Sequence, residues 1–163
     1  MSDDSHRIAR IDIESPGVVR FQPEVEREIQ VASFDLVQDN RFHPETAHFG
    51  EVPAGPYALT LTIVENRLNF HVAADQSGEF GTVMLPLGAF RKIIKDYFTV
   101  CDSYYQAIRS ASPSQIEAID MGRRGLHDEG SERLRQQLNG RIDIDHATAR
   151  RLFTLICALH IRA

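Results

Sequence analysis

Two alternating segments, residues 57–64 and 67–74, constrain the fold of this chain more than any other feature. In both segments every second residue is apolar, which is typical of a β-strand with one buried face. Only Glu65 and Asn66 separate the segments, and Asn66 can adopt the left-handed backbone conformation that a two-residue turn requires. The sequence therefore predicts a β-hairpin.

The predicted turn also sets the register of this hairpin. It places three apolar pairs opposite one another: Ile63 with Leu68, Leu61 with Phe70, and Leu59 with Val72. All three pairs fall on one face, so the turn and the apolar pattern agree. Residues 7–13 also alternate, and a further strand is expected near residues 80–85. We therefore expect an antiparallel β-meander of about three to five strands with one covered face.

After residue 87 the apolar residues recur at steps of three and four, which predicts a long amphipathic helix. The next helix begins with a capping signature, because Ser112 can cap it and Gln115 completes a capping box. Another helix is expected after Pro23, and Asp145 can cap a final helix with a wide apolar stripe. We therefore expect about four helices.

These elements predict an α+β fold of two layers, with about four helices covering one face of the antiparallel meander. The length of 163 residues favours a single domain over residues 1–163. Cys101 and Cys157 lie in apolar helical patterns without a CxxC pair, as expected in a reducing compartment. The most apolar stretch, residues 152–161, is too short to span a bilayer. We therefore expect a cytoplasmic protein without a membrane partner.

The net charge of −5 is unevenly distributed along the chain. Residues 1–86 carry 14 acidic and 6 basic side chains, whereas residues 87–163 carry 9 acidic and 12 basic ones. A mildly basic second half can attract anions, although a mixed solvated surface is the simpler interpretation. It is much weaker than the basic stripe of a nucleic-acid-binding protein. Nucleic acid is therefore not an expected partner, and binding to RNA or to ribosomes is the weakest functional hypothesis.

Several long stretches resemble the sequences of a known protein family: FRKIIKDYFTVCDSYYQAIR, SPSQIEAIDMGRRGLHDEGSERL and ARRLFTLICALH. Over nearly its whole length the chain resembles a bacterial family catalogued only as proteins of unknown function. The resemblance implies a bacterial, cytosolic setting. It implies no activity, cofactor or catalytic residue.

Residues 120–132 combine two arginines, a histidine, several acids and three glycines within one predicted helix. A glycine inside a helix costs about 1 kcal/mol relative to alanine, and each ion pair along the helix contributes only a few tenths of a kcal/mol. The sequence therefore predicts that the helix breaks here, or that another backbone or a ligand approaches closely. Close packing between helices is the favoured explanation, ahead of a partner-binding surface and an anion-binding or catalytic site.

The functional interpretation of the same stretch is an anion site. Arg123 and Arg124 can bind phosphate or carboxylate groups, and His127, helped by Asp128 or Glu129, can move a proton. The two arginines are adjacent, so on a helix we expect their side chains to point in different directions. That expectation weighs against a shared site.

A second group of basic residues, Arg91, Lys92 and Lys95, lies near the start of the long helix. Positive charge there opposes the helix dipole, and a bound anion would relieve the opposition. The favoured alternative is that these side chains reach into solvent or pair with acids of the first half. Lys92 and Lys95 are retained as candidate ligand-binding residues.

The chain contains no P-loop, GxGxxG, GxSxG or HExxH motif, and His43 and His48 match no zinc signature. We therefore expect no metal site and no cofactor, and the sequence identifies no catalytic residues. The favoured hypothesis is a small binding or regulatory protein that contacts another protein, or a second copy of itself as a homodimer. The alternative is a small enzyme or sensor that binds a phosphorylated or carboxylated ligand through Arg123, Arg124 and His127.

Overall fold

The computed structural model describes residues 5–14, 23–74 and 77–162. Its strands are β1 (Ile8–Glu14), β2 (Phe42–Pro44), β3 (Tyr57–Val64), β4 (Arg67–Ala74), β5 (Gly78–Pro86) and β6 (Ile142–Ile144). Its helices are α1 (Pro23–Gln38), α2 (Thr46–Phe49), α3 (Gly88–Ser110), α4 (Pro113–Leu138) and α5 (His146–Arg162). The predicted α+β class is confirmed.

The predicted hairpin forms the middle of the main sheet. β3 pairs with β4 in the expected antiparallel register, with Ile63 opposite Leu68 and Leu61 opposite Phe70. Both turn residues have positive φ angles, 53° at Glu65 and 62° at Asn66. β5 continues the meander beside β4. Local turn chemistry and the apolar pattern are therefore sufficient to position three strands.

The sheet differs from the predicted meander at one edge. The strand order is β1-β3-β4-β5, and β1 pairs with β3 in parallel. Parallel neighbours need a long crossover, which α1 and the segments after it supply here. Alternation within β1 predicts a strand but does not specify the direction of its partner, so the sheet is mixed rather than wholly antiparallel. β2 and β6 form a separate antiparallel pair.

The two faces of the main sheet have opposite character. Leu59, Phe70 and Val83 are fully buried on the face that the helices cover. On the other face, His71 forms hydrogen bonds with Thr62 and Thr82 across three strands. The two-layer arrangement is thus confirmed, with the core between the sheet and the helices.

α5 lies at the centre of the helical layer. It packs against α1, α4 and the strands β1 and β3, and most of its residues from Ala149 to Leu159 are buried. Asp145 caps its start, since the Thr148 amide donates to Asp145 Oδ1 at 2.9 Å. The wide apolar stripe is covered by the same chain, so this stripe does not argue for a dimer. Within the described residues, no helix combines the length and hydrophobicity needed to cross a membrane.

α4 is one continuous helix, so of the two alternatives for residues 120–132 the break does not occur. Its start is the predicted capping box, in which Ser112 and Gln115 exchange backbone-to-side-chain hydrogen bonds. Gly130 is needed for close packing, because a Cβ there would overlap the Phe153 ring of α5. A Cβ at Gly122 or Gly125 would meet no atom of another element within 4 Å. Close helix packing therefore explains one of the three glycines.

Candidate functional site

A cleft of about 670 Å³ opens between the helices on the side away from the sheet's polar face. Helix α1 contributes Arg27, Glu28, Val31, Ala32 and Asp35; α3 contributes Tyr97 and Tyr105; α4 contributes Arg123, Arg124 and His127; and α5 contributes Arg150, Arg151 and Thr154. We call this space the arginine cleft, because five of these side chains are arginines and only two are acids. Its volume lies within the range of small-molecule sites.

Arg123 and Arg124 are brought together by Asp120, one turn earlier on α4. Arg123 Nη2 lies 2.7 Å from Asp120 Oδ1, and Arg124 Nε lies 3.0 Å from Asp120 Oδ2. The guanidinium of Arg123 also stacks on the ring of Tyr104, 4.5 Å from its centroid. Hydrogen bonding from Arg123 lowers the pKa of Asp120, so this acid stays ionised. Adjacent arginines therefore share one wall of the cleft, contrary to the expectation that they diverge.

α5 supplies a second pair of adjacent arginines to the same cleft. Arg150 forms an ion pair with Asp128 of α4, and Arg151 Nη1 donates to the backbone oxygen of Asp39 at 2.8 Å. These contacts fix the directions of both side chains while leaving other guanidinium donors for a ligand. The cleft thus has oriented arginines on two opposing helices.

His127 lies between these two helices and is only 8% exposed. Its ring packs against the rings of Tyr97 and Phe153, with centroids 5.4 and 5.3 Å away. Burial lowers the pKa of His127 to about 4, and the Arg150 cation adds to the effect. The imidazole is therefore neutral at physiological pH.

The hydrogen bonds of Thr154 determine the tautomer of this imidazole. Thr154 Oγ1 donates to the backbone oxygen of Arg150, so it accepts from His127 Nε2, which lies 2.7 Å away. His127 Nδ1 then carries a lone pair, and it has no hydrogen-bond partner among the described residues. A buried, uncharged acceptor therefore lies close enough to Arg123 and Arg150 to feel both charges.

The remaining predicted residues lie outside the lining of this cleft. Asp128 acts indirectly, by holding Arg150, whereas Glu129 is exposed on α4. Lys92 is 89% exposed and pairs with Asp96 on its own helix. Lys95 is exposed beside it. The two lysines are thus solvated, as the favoured alternative expected.

Sequence reasoning missed Arg27, Arg150 and Arg151, because these residues reach the cleft from α1 and α5. One signal was available for the last two: they form a second adjacent arginine pair, like Arg123 and Arg124, in a helix without another lysine or arginine before position 162. Among the described residues, no group of three His, Cys, Asp or Glu side chains is arranged to hold a metal ion. Oxyanion binding is the chemistry that the lining supports.

The comparisons with known proteins agree with the resemblance seen in the sequence. A protein of Chelativorans sp. is 56% identical over 153 residues, which cover 93% of this chain and 92% of that relative. One of Methylobacterium radiotolerans is 51% identical over 157 residues, 95% of this chain and 93% of the relative. One of Brucella canis is 48% identical over 163 residues, 99% of each. All three carry the name UPF0262 protein.

No solved structure matches the chain. Residues 5–162 match a family described as an uncharacterised protein family, UPF0262. The chain therefore belongs to the bacterial family UPF0262, for which no activity is established.

Proposed function

We propose that this protein binds a small molecule with a carboxylate or phosphate group in the arginine cleft, and that it does so in the cytoplasm. The observation that carries the proposal is the convergence of five arginines from three helices on one space of about 670 Å³. Arginine presents a planar set of donors that matches carboxylate and phosphate oxygens. Each hydrogen bond to a charged group contributes about 1.5–3 kcal/mol when water is largely excluded.

The ion pairs around the cleft support binding rather than oppose it. Asp120 and Asp128 hold Arg123, Arg124 and Arg150 without lining the cleft themselves. Their role is that of supporting residues, which fix arginine directions before a ligand arrives and so lower the entropic cost of binding. The positive charge facing the cleft exceeds the charge of its two lining acids, Glu28 and Asp35.

The proposal is tested by thermal unfolding with inorganic phosphate, citrate and a series of simple carboxylates at constant ionic strength. An anion at ten times its Kd stabilises the folded state by about 1.4 kcal/mol. For a chain of this size that shift is about 4 °C in Tm. The double variant Arg27→Gln/Arg124→Gln should weaken binding about tenfold, since both side chains are exposed and their removal perturbs the core little.

The matched control is Arg67→Gln on β4. Its guanidinium contacts Met84 of β5, so it lies on the sheet and not in the helical layer that forms the cleft. It changes the net charge by one unit but should leave the affinity for anions unchanged. Equal losses in Arg67→Gln and in a single Arg124→Gln variant would mean that only the overall charge matters, and the cleft would then not be the site.

A second candidate function is contact with a partner protein, because apolar residues are exposed beside the cleft. Phe34 on α1 is 65% exposed, and Val31, half exposed, lines the cleft itself. Tagged protein purified from its native cell should recover a stoichiometric partner that is lost with Phe34→Ser. The control is Val64→Ser at the end of β3, where a similarly exposed apolar side chain lies on the sheet.

A further inference from the structure

The arginine cleft adjoins a smaller cavity between α1, α3 and α5, with a volume of about 50 Å³. Glu28, Tyr97, Tyr105 and Thr154 line both spaces. Tyr105 Oη donates to Glu28 Oε1 at 2.8 Å, so this hydrogen bond lies where the cleft meets the inner cavity. A molecule held by the arginines therefore has a recess within its reach.

The inner cavity is mostly apolar or uncharged. Ile29, Phe98 and Ala158 line it together with two thiols, those of Cys101 and Cys157. Burial raises the pKa of Cys101 to about 11 and raises that of Cys157 well above its ordinary value. Both thiols are therefore protonated at neutral pH and behave as small apolar groups.

The charged residues at this cavity are acidic. Glu28 and Asp102 are among its lining residues, and no lysine or arginine of the described chain lines it. A second anionic group entering the cavity would meet like charge without a compensating cation. The two acids would attract an ammonium group, but Asp102 is exposed to solvent, which weakens that attraction. An ammonium group would still lose its hydration in a small cavity lined mainly by uncharged groups, and that loss opposes its entry.

The size of the cavity limits what can enter. A water-sized atom occupies about 10–15 Å³ of such volume, so about 50 Å³ admits roughly three to five heavy atoms. That is the size of a short alkyl chain. A bulky ring system would require the helices to separate.

We propose that the ligand of the arginine cleft is an amphiphile with a single charged end. Its carboxylate or phosphate group binds the arginines, and its short uncharged alkyl end lies in the inner cavity. This inference rests on the proposed function, because it takes the arginines as the site of the anionic group. It adds the orientation and the substrate class: a short-chain alkyl or acyl compound with one carboxylate or phosphate, rather than a dicarboxylate or an amino acid.

Three six-carbon acids of matched length test the character of the inner end: hexanoate, adipate and 6-aminohexanoate. Their ends are a methyl group, a carboxylate and an ammonium group. Dissociation constants come from amide chemical shifts measured by NMR at constant ionic strength. Hexanoate should bind at least tenfold more tightly than either of the other two.

A chain-length series tests the depth of the cavity. From acetate to hexanoate, each methylene that enters the cavity should tighten binding about fourfold. The gain should stop once the cavity is full, so longer acids should bind no more tightly than the best one. An alkyl phosphate series, measured in parallel against inorganic phosphate, identifies which oxyanion the arginines prefer.

Two variants fill the inner cavity from opposite sides, Ala158→Leu on α5 and Cys101→Leu on α3. Either one should remove the dependence on chain length while leaving the affinity for acetate and inorganic phosphate unchanged. Ala158→Ser is the control of nearly unchanged size, and it should keep the chain-length dependence. Glu28→Gln retains an acceptor for Tyr105 and should reduce the preference for hexanoate over adipate.

The outcomes separate this inference from the proposed function. If no carboxylate and no phosphate binds, the proposed function itself fails. If acetate and phosphate bind but chain length has no effect, or if adipate or 6-aminohexanoate binds as tightly as hexanoate, the cleft remains an anion site and the alkyl end is refuted. The length series in the unaltered protein decides this even if both leucine variants fail to fold.

Discussion

The buried His127 costs the folded state free energy in acid, because its imidazole is held neutral. The unfolded chain takes up a proton near the ordinary pKa of about 6.5, whereas the folded protein does so only near pH 4. Between these values the unfolded state binds more protons than the folded state. The free energy of unfolding therefore falls as the pH falls through this window. Above about pH 6.5 the imidazole is neutral in both states, and the full stability is present.

We predict that His127 accounts for a loss of about 3 kcal/mol in the free energy of unfolding between pH 7 and pH 4. The variant His127→Gln keeps a side chain that can bond to Thr154 but does not titrate. Its loss over the same range should be smaller than that of the unaltered protein by about this amount. Urea denaturation at several pH values measures the difference.

Thr154→Val provides the control for this experiment. It removes the partner of Nε2 but keeps the imidazole buried, so it should lower stability by a similar amount at each pH and preserve the pH dependence. A His127→Gln variant with the same acid dependence as the unaltered protein would show that His127 is not the group responsible.

Some residues of the cleft were accessible to sequence reasoning and others were not. Arg123, Arg124 and His127 lie within one helix, where unusual composition marks them. Arg27 reaches the cleft only because α1 packs beside α5, and nothing in its local sequence indicates that packing. The adjacent pair Arg150 and Arg151 is a local signal, but it does not show that the pair faces Arg123 and Arg124. Lys92 and Lys95 carry the same charge but lie on solvated turns of α3, since charge alone does not specify direction.

At the scale of elements, the three glycines of α4 differ in what they contribute to packing. Gly130 lets α4 approach the Phe153 ring of α5, and that approach brings Arg123 and Arg150 to opposite walls of one cleft. Gly122 and Gly125 face away from other elements and gain nothing from lacking a Cβ. They lower the stability of the helix, as glycine does at any exposed helical position.

We predict opposite signs for alanine substitutions at these glycines. Gly122→Ala and Gly125→Ala should each raise the free energy of unfolding by about 0.5–1 kcal/mol, because alanine is the better helix former. Gly130→Ala should lower it by about 1–3 kcal/mol, because the new methyl group overlaps a buried ring. Denaturant titration of the three single variants makes the comparison.

A double variant checks the cause of the Gly130 effect. Phe153→Leu removes ring atoms that a Cβ would meet, so Gly130→Ala should cost less in that background than in the unaltered chain. Strictly additive effects of the two substitutions would contradict the steric explanation.

The helices and strands differ in whether neighbouring or distant residues determine them. The hairpin, the Ser112 capping box and the Asp145 cap are each encoded within a few residues, and all three were predicted. The parallel pairing of β1 with β3 was not, because it joins residues about fifty positions apart through a crossover that follows no short motif. Turn chemistry specifies neighbours along the chain, whereas edge strands are placed by the packing of whole layers.

At the scale of the whole molecule, burial is concentrated around α5 and falls away along α4. Residues of α5 from Leu152 to Leu159 are mostly buried, with the sheet on one side and α1 and α4 on others. The buried residues of α4 begin only at His127, so its first half rests on little core. Arg123 and Arg124 therefore project from the least supported part of a long helix.

This gradient predicts that the molecule does not open as one unit. Backbone amides of residues 117–126 should exchange with deuterium at least about 100-fold faster than those of residues 152–159, because local opening of α4 exposes little apolar surface whereas α5 opens only on global unfolding. Exchange followed by NMR or by mass spectrometry measures the two segments together. Combining Gly122→Ala with Gly125→Ala should slow exchange in the first segment by about 5- to 30-fold, since both substitutions favour the helical state. Equal rates in the two segments would mean that α4 is held along its full length, and the gradient of burial would then not set the order of opening.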